Sequence, residues 1–517
     1  MSNEVAERIV KGSFVLTLGQ LLSIAVGFVF SVLIANLLGR DNYGLLSIAL
    51  TYPSMVASLV DLGLGGVVSR YTAKPGSNKD IYAWTGLVLR ALTSAIGGII
   101  VYLSADYFAY LLGRPILTEP IRALSFYTIF SSILGVLSAI FNGLGKYEIS
   151  ASINITQYVV RGPLAVLFVL LGLGIHGAAL AYSIGYMVVS ILYMALFISI
   201  FRSPRFSLSI ATKMLGISWP LFVASLSGVF LKPIVDTILS RNVSNSELGD
   251  YGVALNSLMP LGILLGSIST AVLTSLPILI ENRDQMKESA KDAVFYSSTI
   301  SIALGFCYLS VIYPLTRIYG RSYVNAPIYA IIYGLSSLLP VLLGSLVIGN
   351  YFIVLKATKY NAITSLAGFS ITVILSYMLT PIMGVAGAGL SYIVGNVVSA
   401  TIAYAIASKS LDLKLNFSRN IKTFIPSLIA FISGFASSTL ITIHVSTMAT
   451  VYFILGLIAA TITGLSIYSL VYLALIPFFT DRETIYNLFN LATRLEYVGG
   501  VVRVIGSYYL KYVSARY

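Results

Sequence analysis

Fourteen largely apolar runs, each longer than 20 residues, follow one another along this chain with little between them. About 20 such residues in a helix are what a crossing of the bilayer hydrocarbon requires. The runs fall at 14–38, 44–66, 82–104, 120–142, 151–172, 175–200, 215–240, 249–280, 292–314, 326–352, 361–381, 384–408, 421–444 and 449–479. They are continuously apolar rather than alternating, which argues against a transmembrane barrel. Composition agrees: 57% of residues are hydrophobic, 10% are charged, and the mean hydropathy is +0.90. A water-exposed surface takes about 25% charged residues, so a soluble enzyme and a disordered scaffold are both excluded. The chain reads as an all-α polytopic membrane protein with 14 transmembrane helices. Its first run is too long for the apolar core of a signal peptide and lacks a cleavage pattern, so it is expected to be retained.

Charge orients the spans. Loops on the side of the N-terminus hold 23 of the 32 basic residues, among them Arg70, Lys146, Arg205, Lys287, Lys359 and Lys414. The opposite side holds only Arg40, Arg114, Arg122, Arg241, Arg317 and Arg321. Basic loops stay cytoplasmic, so both termini are expected there, in a multi-pass protein of the cell (plasma) membrane. The net charge of +13 therefore reports topology and calls for no nucleic acid. The tail beyond Phe479 places Ile485, Leu488, Phe489, Ala492 and Leu495 at helical spacing. It reads as an amphipathic segment on the inner leaflet. One cysteine (Cys307) and two histidines (His176, His444) give neither a disulfide framework nor a Cys/His metal cluster. No metal and no cofactor are expected.

The chain repeats itself. Gly174-Ile-His-Gly177-Ala-Ala-Leu180-Ala-Tyr182-Ser-Ile-Gly185 matches Gly384-Val-Ala-Gly387-Ala-Gly-Leu390-Ser-Tyr392-Ile-Val-Gly395 at an offset of 210. Lys146-Tyr147 matches Lys359-Tyr360 at 213, and Tyr43-Gly44 matches Tyr251-Gly252 at 208. Each copy holds six spans, an even number, so both enter the membrane in the same sense. Two six-helix bundles related by a pseudo-two-fold along the membrane normal are expected, spanning 1–208 and 209–410. Two further helices follow in 411–480, then the cytoplasmic tail 481–517. Bundles facing each other across such an axis suit alternating access, with a substrate site near the midplane.

Lys11-Gly12, Gln20, Ala35-Asn36-Leu37-Leu38-Gly39-Arg40, Asn42-Tyr43-Gly44, Asp61-Leu62-Gly63-Leu64 with Arg70, Asn142-Gly143-Leu144-Gly145-Lys146-Tyr147, and the GxxGA turns opening spans 6 and 12 together carry a resemblance. The chain resembles the multidrug/oligosaccharidyl-lipid/polysaccharide exporter superfamily, in its oligosaccharide-lipid flippase (Wzx-like) branch. The resemblance implies a flippase moving a polyprenyl-diphosphate-linked glycan from the cytoplasmic to the outer leaflet, for cell-surface polysaccharide or glycoprotein glycan synthesis. Its implied partners are that glycan lipid, the bilayer, H⁺ or Na⁺ as coupling ion, and glycosyltransferases or a polymerase of the same pathway.

Charges inside spans point to a site. Arg161 lies about ten residues into span 5, near mid-depth at 1.5 Å per residue, two residues before Pro163. Arg90 lies in span 3, and Lys232 and Asp236 in span 7 are spaced to pair on one helix face. Asp61 closes span 2. Cations outnumber anions, which suits a diphosphate headgroup: Arg161, Arg90 and Lys232 are the candidate substrate ligands in a central cationic cavity. Asp236 and Asp61 are candidate coupling or structural carboxylates. Each has a plain structural alternative. Arg161 could serve a carbonyl freed by Pro163, Arg90 could reach to the interface, Lys232–Asp236 could be a structural pair, and Asp61 could bond Arg70 or a helix end.

No catalytic residue is expected. The chain has no GxxxxGK[ST], and its largest outer loop, 105–119, holds only Asp106 and Glu119 as acids. The alternative to a flippase is an ion-coupled multidrug or small-molecule exporter of the same superfamily, whose cavity should be dominated by carboxylates.

Overall fold

Long apolar runs give long helices, and glycines set where they bend. The computed structural model describes residues 3–74, 78–275, 283–410, 413, 417–480 and 485–486; among these there is helix and no strand. The tail expected on the inner leaflet lies outside the described residues, apart from Ile485 and Tyr486. Ten helical segments among the described residues are long and apolar enough to cross a membrane. Three of them, Val15–Leu59, Tyr147–Ile200 and Lys359–Lys409, run to 45, 54 and 51 residues, about twice the length of one crossing. Each bends at glycines of positive φ: Gly39, then Gly172 and Gly174, then Gly384. Only glycine enters this region without strain. The protein is an all-helical, multi-pass membrane protein.

The chain forms two compact units. The first comprises residues up to 260 together with 319–329 and 369–391, so it does not end at the repeat boundary near 208. It opens with α1 (Asn3–Ala49), which breaks direction at Gly39 (φ 74°, ψ 168°), within the short loop expected at 39–43. The second expected span is then completed by α2 (Thr51–Leu59) and α3 (Leu64–Ala73), separated by Leu62 and Gly63, both at positive φ. α4 (Lys79–Leu103), α5 (Ala105–Leu111), α6 (Thr118–Ala123), α7 (Ser125–Gly143), α8 (Tyr147–Phe168) and α9 (Gly174–Ile200) follow. α10 (Leu208–Asn242) and α11 (Asn245–Ser257) complete this stretch; Ser244 and Glu247 form a reciprocal capping box at the start of α11. One core joins Leu64, Val68, Leu87, Leu137, Phe141, Val189 and Phe197. A second joins Ile34, Tyr43, Ala165, Ala178 and Val253 to Tyr319 and Tyr323.

The second unit comprises 261–318, 330–368 and the residues from 392 onward. The remaining helices of the chain are α12 (Met259–Ser275), α13 (Arg283–Leu309), α14 (Ile312–Arg317), α15 (Ala326–Leu338), α16 (Ser345–Val354), α17 (Lys359–Ser410), α18 (Phe417–Val445) and α19 (Thr450–Phe479). Its core gathers Val294, Val347, Tyr351, Phe352 and Ala407. α18 and α19 approach closely at small residues: a Cβ on Gly464 would lie 2.9 Å from that of Ser438, the kind of contact that joins helices in lipid.

The repeat is written in the backbone. Gly174 (φ 53°, ψ −136°) and Gly384 (φ 57°, ψ −136°) hold the same bend in the two copies. α7 and α16 also end alike, with Lys146 N–H donating to Phe141 C=O (2.9 Å) and Ala357 N–H to Phe352 C=O (2.8 Å). These caps align Gly145 with Lys356, both at positive φ. That register is 211 residues rather than the 213 of the Lys-Tyr match, because the second copy has a longer connection before α17.

Candidate functional site

Glycines bring three helices of the first unit together around Arg161. A Cβ on Gly185 of α9 would fall 2.5 Å from the Cβ of Arg161 on α8, and one on Gly27 of α1 would fall 2.5 Å from the Tyr158 ring. The close approach leaves a cavity of about 690 Å³ lined by α1, α2, α7, α8, α9, α10, α11 and the start of α12, within the usual size range of ligand sites. Its lining includes Arg161 and Lys232, several hydroxyls (Ser31, Ser47, Thr51, Ser54), Asn256, and the rings of Tyr43, Tyr127, Tyr158, Tyr182 and Tyr251. Among the described residues, no carboxylate lines it.

Arg161 is held by aromatic faces. Its guanidinium carbon lies 4.2 Å from the Tyr158 ring centre, 4.5 Å from that of Tyr182 and 5.6 Å from that of Tyr186. Nη1 donates a long hydrogen bond of 3.4 Å to the Tyr186 hydroxyl. Among the described residues it has no ion-pair partner and no bond to a backbone carbonyl, including the one Pro163 frees. Cation–π contact stabilises a guanidinium without consuming its forked donors, so those donors remain available to an anion.

Lys232 and Asp236 form an i,i+4 ion pair on α10. Asp236 is fully buried and accepts two further hydrogen bonds, from Thr51 Oγ1 of α2 (2.8 Å) and Tyr251 Oη of α11 (2.8 Å). The Lys232 side chain is 53% exposed, toward the cavity. Pro233, between them, lacks the N–H that would bond Val229 C=O. Thr237 Oγ1 donates to the Pro233 carbonyl at 2.7 Å.

Arg90 stands apart from this cavity. It is buried in α4, pairs with Asp61 at 2.9 Å and donates to the Ser132 carbonyl at 3.0 Å. Asp61 thus bonds Arg90 rather than Arg70. The structure brings Arg161 and Lys232 to one cavity with Asp236 buried behind Lys232, and sets buried Arg90 with the part-exposed Asp61 as a separate tie.

Beyond the cavity, toward the end that the charge bias assigns to the outer side, elements of both repeats are tied together. Arg40 of α1 forks onto Asp250 of α11, Nε to Oδ1 at 3.1 Å and Nη2 to Oδ2 at 2.5 Å, and the Asn325 N–H reaches Oδ2 at 3.1 Å. Gly44 and Gly249 leave no room for a Cβ: the first faces the Asn245 carbonyl, the second that of Arg40. Arg114 donates to the Val243 carbonyl (2.6 Å), while Arg241 donates to the carbonyls of Leu111 (2.6 Å) and Tyr110 (2.9 Å). The acids of the 105–119 loop are likewise engaged, Asp106 and Glu119 pairing with Arg122 at 2.6 and 2.7 Å.

The model of the family described as polysaccharide biosynthesis protein matches residues 9–282, more than half of the chain. The chain belongs to that family. It is also 24% identical to stage V sporulation protein B of Bacillus subtilis (strain 168), over 83% of this chain and 89% of that protein. Its fold is similar to that of the lipid II flippase MurJ in an inward closed conformation (TM-score 0.69, 16% identity, 89% of this chain and 98% of that one). It is similar too to an inward-facing multidrug resistance MATE transporter (TM-score 0.60, 16% identity, 76% and 98%). A transporter from Pyrococcus furiosus described as having a binding pocket of reverse polarity also matches (TM-score 0.58, 15% identity, 78% and 96%). This member of the polysaccharide biosynthesis protein family thus shares its fold with transporters described as members of the multidrug/oligosaccharidyl-lipid/polysaccharide exporter superfamily, the superfamily its sequence motifs resemble.

Sequence reasoning does not find the tyrosine cage or the Arg40–Asp250 fork. Tyr158 sits three residues before Arg161, and Tyr182 and Tyr186 are four apart, so helical spacing offers a partial signal among 35 tyrosines. Asp250 joins Arg40 from 210 residues away, a contact that only the fold specifies.

Proposed function

We propose that the protein is a flippase that carries a polyprenyl-diphosphate-linked oligosaccharide from the cytoplasmic to the outer leaflet, for assembly of cell-surface polysaccharide or glycoprotein glycan. What carries the reading is the sign of the cavity. Arg161 and Lys232 line it, no carboxylate does, and Arg161 has no acidic partner among the described residues. A diphosphate supplies the missing anion, hydroxyls and tyrosine faces suit sugars, and the polyprenyl chain stays in lipid. MurJ is named as a flippase of lipid II, so the fold is compatible with a lipid-borne cargo.

The mechanism is alternating access between two six-helix bundles within fourteen spans, with both termini cytoplasmic in the plasma membrane. The Arg40–Asp250 fork and the Arg114 and Arg241 clasps support an outer end that is closed in this state and opens to release cargo. H⁺ or Na⁺ is the candidate coupling ion, and glycosyltransferases or a polymerase of the same pathway are the candidate neighbours.

The test is translocation of a labelled polyprenyl-diphosphate glycan in proteoliposomes. Arg161→Ala is expected to slow it about 10–100-fold, the loss of a charge-assisted hydrogen bond worth roughly 1.5–3 kcal/mol, and Arg161→Lys to restore part of the rate. Full-rate flipping by a folded Arg161→Ala protein refutes the site. Ion-driven export of an organic cation, without lipid movement, would establish the multidrug reading instead.

A further inference from the structure

Resting on the reading above, the next inference concerns what occupies the cavity's second cation before ligand arrives. We propose that Asp236 is a built-in stand-in for the ligand's phosphate: it holds the Lys232 ammonium until ligand arrives and yields it to an anionic phosphate or diphosphate on binding.

The pair is asymmetric in the way an exchange requires. Asp236 is fully buried while the Lys232 side chain is 53% exposed to the cavity, so a ligand can reach the ammonium but not the carboxylate. Asp236 also has other donors. Thr51 Oγ1 bonds Oδ2 and Tyr251 Oη bonds Oδ1, both at 2.8 Å, so the carboxylate keeps a hydrogen bond on each oxygen when Lys232 leaves. Lys232 is anchored by little else of polar character: among the described residues its one polar bond is to Asp236, and its Nζ lies 5.9 Å from the Tyr251 ring centre. A four-carbon flexible stem carrying a point charge is suited to such a swing.

A purely structural ion pair would look different. Its lysine would be packed, and its carboxylate would rely on that lysine, since burying a charge requires compensation close by. Here the hydroxyls already tie α2, α10 and α11 to the carboxylate. Exchange also answers a problem of reversibility: two unopposed cations would retain an anionic cargo, whereas a resident carboxylate competes for one of them and promotes release.

The test measures binding of geranylgeranyl diphosphate, and separately of inorganic pyrophosphate, to the full chain purified in detergent. Asp236→Asn removes the competitor and is expected to tighten binding about tenfold. Lys232→Ala is expected to weaken it by a similar factor, and adding Asp236→Asn to Lys232→Ala should bring no gain. Unchanged or weaker binding by a folded Asp236→Asn protein overturns the proposal, as does an equal gain in the Lys232→Ala background. If Asp236→Asn does not fold, Tyr251→Phe replaces it. A carboxylate deprived of one hydroxyl holds Lys232 harder, so weaker binding is expected and tighter binding overturns the idea. A gain with both probes shows that phosphate alone is recognised, while a gain confined to the prenyl compound shows that a lipid-linked phosphate is. Failure here is separable from failure of the flippase reading. If Arg161→Ala leaves diphosphate affinity intact, the cavity reading falls, whereas a dependence on Arg161 without a gain in Asp236→Asn removes only the exchange.

Discussion

Replacing Arg40 tests whether the tie at the end proposed to face outward is a gate. Asp250 is fully buried, and the Arg40 side chain that forks onto it is 25% exposed. Removing the arginine leaves a buried carboxylate without its cation, which costs about 3–5 kcal/mol in comparable pairs. The Asn325 N–H, 3.1 Å from Oδ2, stays in place, so the lower end of that range applies. If opening separates α1 from α11 and hydrates Asp250, the whole cost falls on the closed state. About 3 kcal/mol then lowers the closed-to-open ratio roughly 100-fold. The readout is labelling of Ser54→Cys, a cavity-lining position, by a membrane-impermeant maleimide added from outside. The background carries Cys307→Ser, since Cys307 is the protein's single cysteine. Arg40→Ala should accelerate labelling strongly, and the reversed pair Arg40→Asp with Asp250→Arg should slow it again. Unchanged labelling in folded Arg40→Ala protein refutes the gate. So does an acceleration that the reversed pair leaves in place, because the effect would then be a general loosening.

Three further outcomes follow from the same geometry. Arg90→Ala should lower thermal stability while leaving affinity for geranylgeranyl diphosphate within about twofold of wild type, because Arg90 is engaged with Asp61 and Ser132 and absent from the cavity lining; a large affinity loss with unchanged melting would reverse that assignment. Gly185→Ala should destabilise by about 1–3 kcal/mol, since its Cβ would meet that of Arg161 at 2.5 Å, and a thermal-shift assay that finds no change would show that α8 and α9 can part without cost. Gly174→Ala and Gly384→Ala should each cost about 1–3 kcal/mol from backbone strain and to similar extents, because the two bends share φ and ψ; a marked inequality in melting shift would separate the copies.

Much of the fold is legible in the sequence because lipid imposes one simple requirement, a long apolar helix, on each crossing. The expected runs at 82–104, 175–200, 215–240 and 449–479 coincide with α4, α9, α10 and α19 to within a few residues on most ends. Reading falters where glycine or proline reshapes a run from within. The 44–66 run is divided among α1, α2 and α3, at Leu50 and again at Leu62-Gly63, and 249–280 breaks before Met259-Pro260. Hydropathy is blind to such bends because they change direction, not polarity. At the site, charge and depth singled out Arg161 and Lys232 but could not separate them from Arg90. The difference lies in the neighbours: a carboxylate from the end of α2 reaches Arg90, while tyrosines from α8 and α9 surround Arg161.

The placement of carboxylates explains why one cation is left over. Asp61 is paired with Arg90, Asp236 with Lys232, and Asp250 with Arg40, so three acids near the helical core are each neutralised by a base. Arg161 has no such acid among the described residues. Arg161 is half-buried, so it bears part of the several kcal/mol that burying an unpaired cation costs, and three ring contacts at about 0.5–2 kcal/mol each offset some of that. The remainder is a standing preference for an anion in the cavity. A carboxylate placed beside Arg161 would have satisfied the charge permanently and removed any affinity for a phosphate. Tyrosine faces stabilise the guanidinium while leaving most of its donors unoccupied, which is the property a reversible diphosphate site needs. Exchanging the cage rather than the arginine tests this directly. Tyr158→Leu with Tyr182→Leu should lower both stability and diphosphate affinity, whereas Tyr182→Asp should restore stability and abolish binding. Diphosphate binding that survives Tyr182→Asp would show that Arg161 is not the residue that receives the anion.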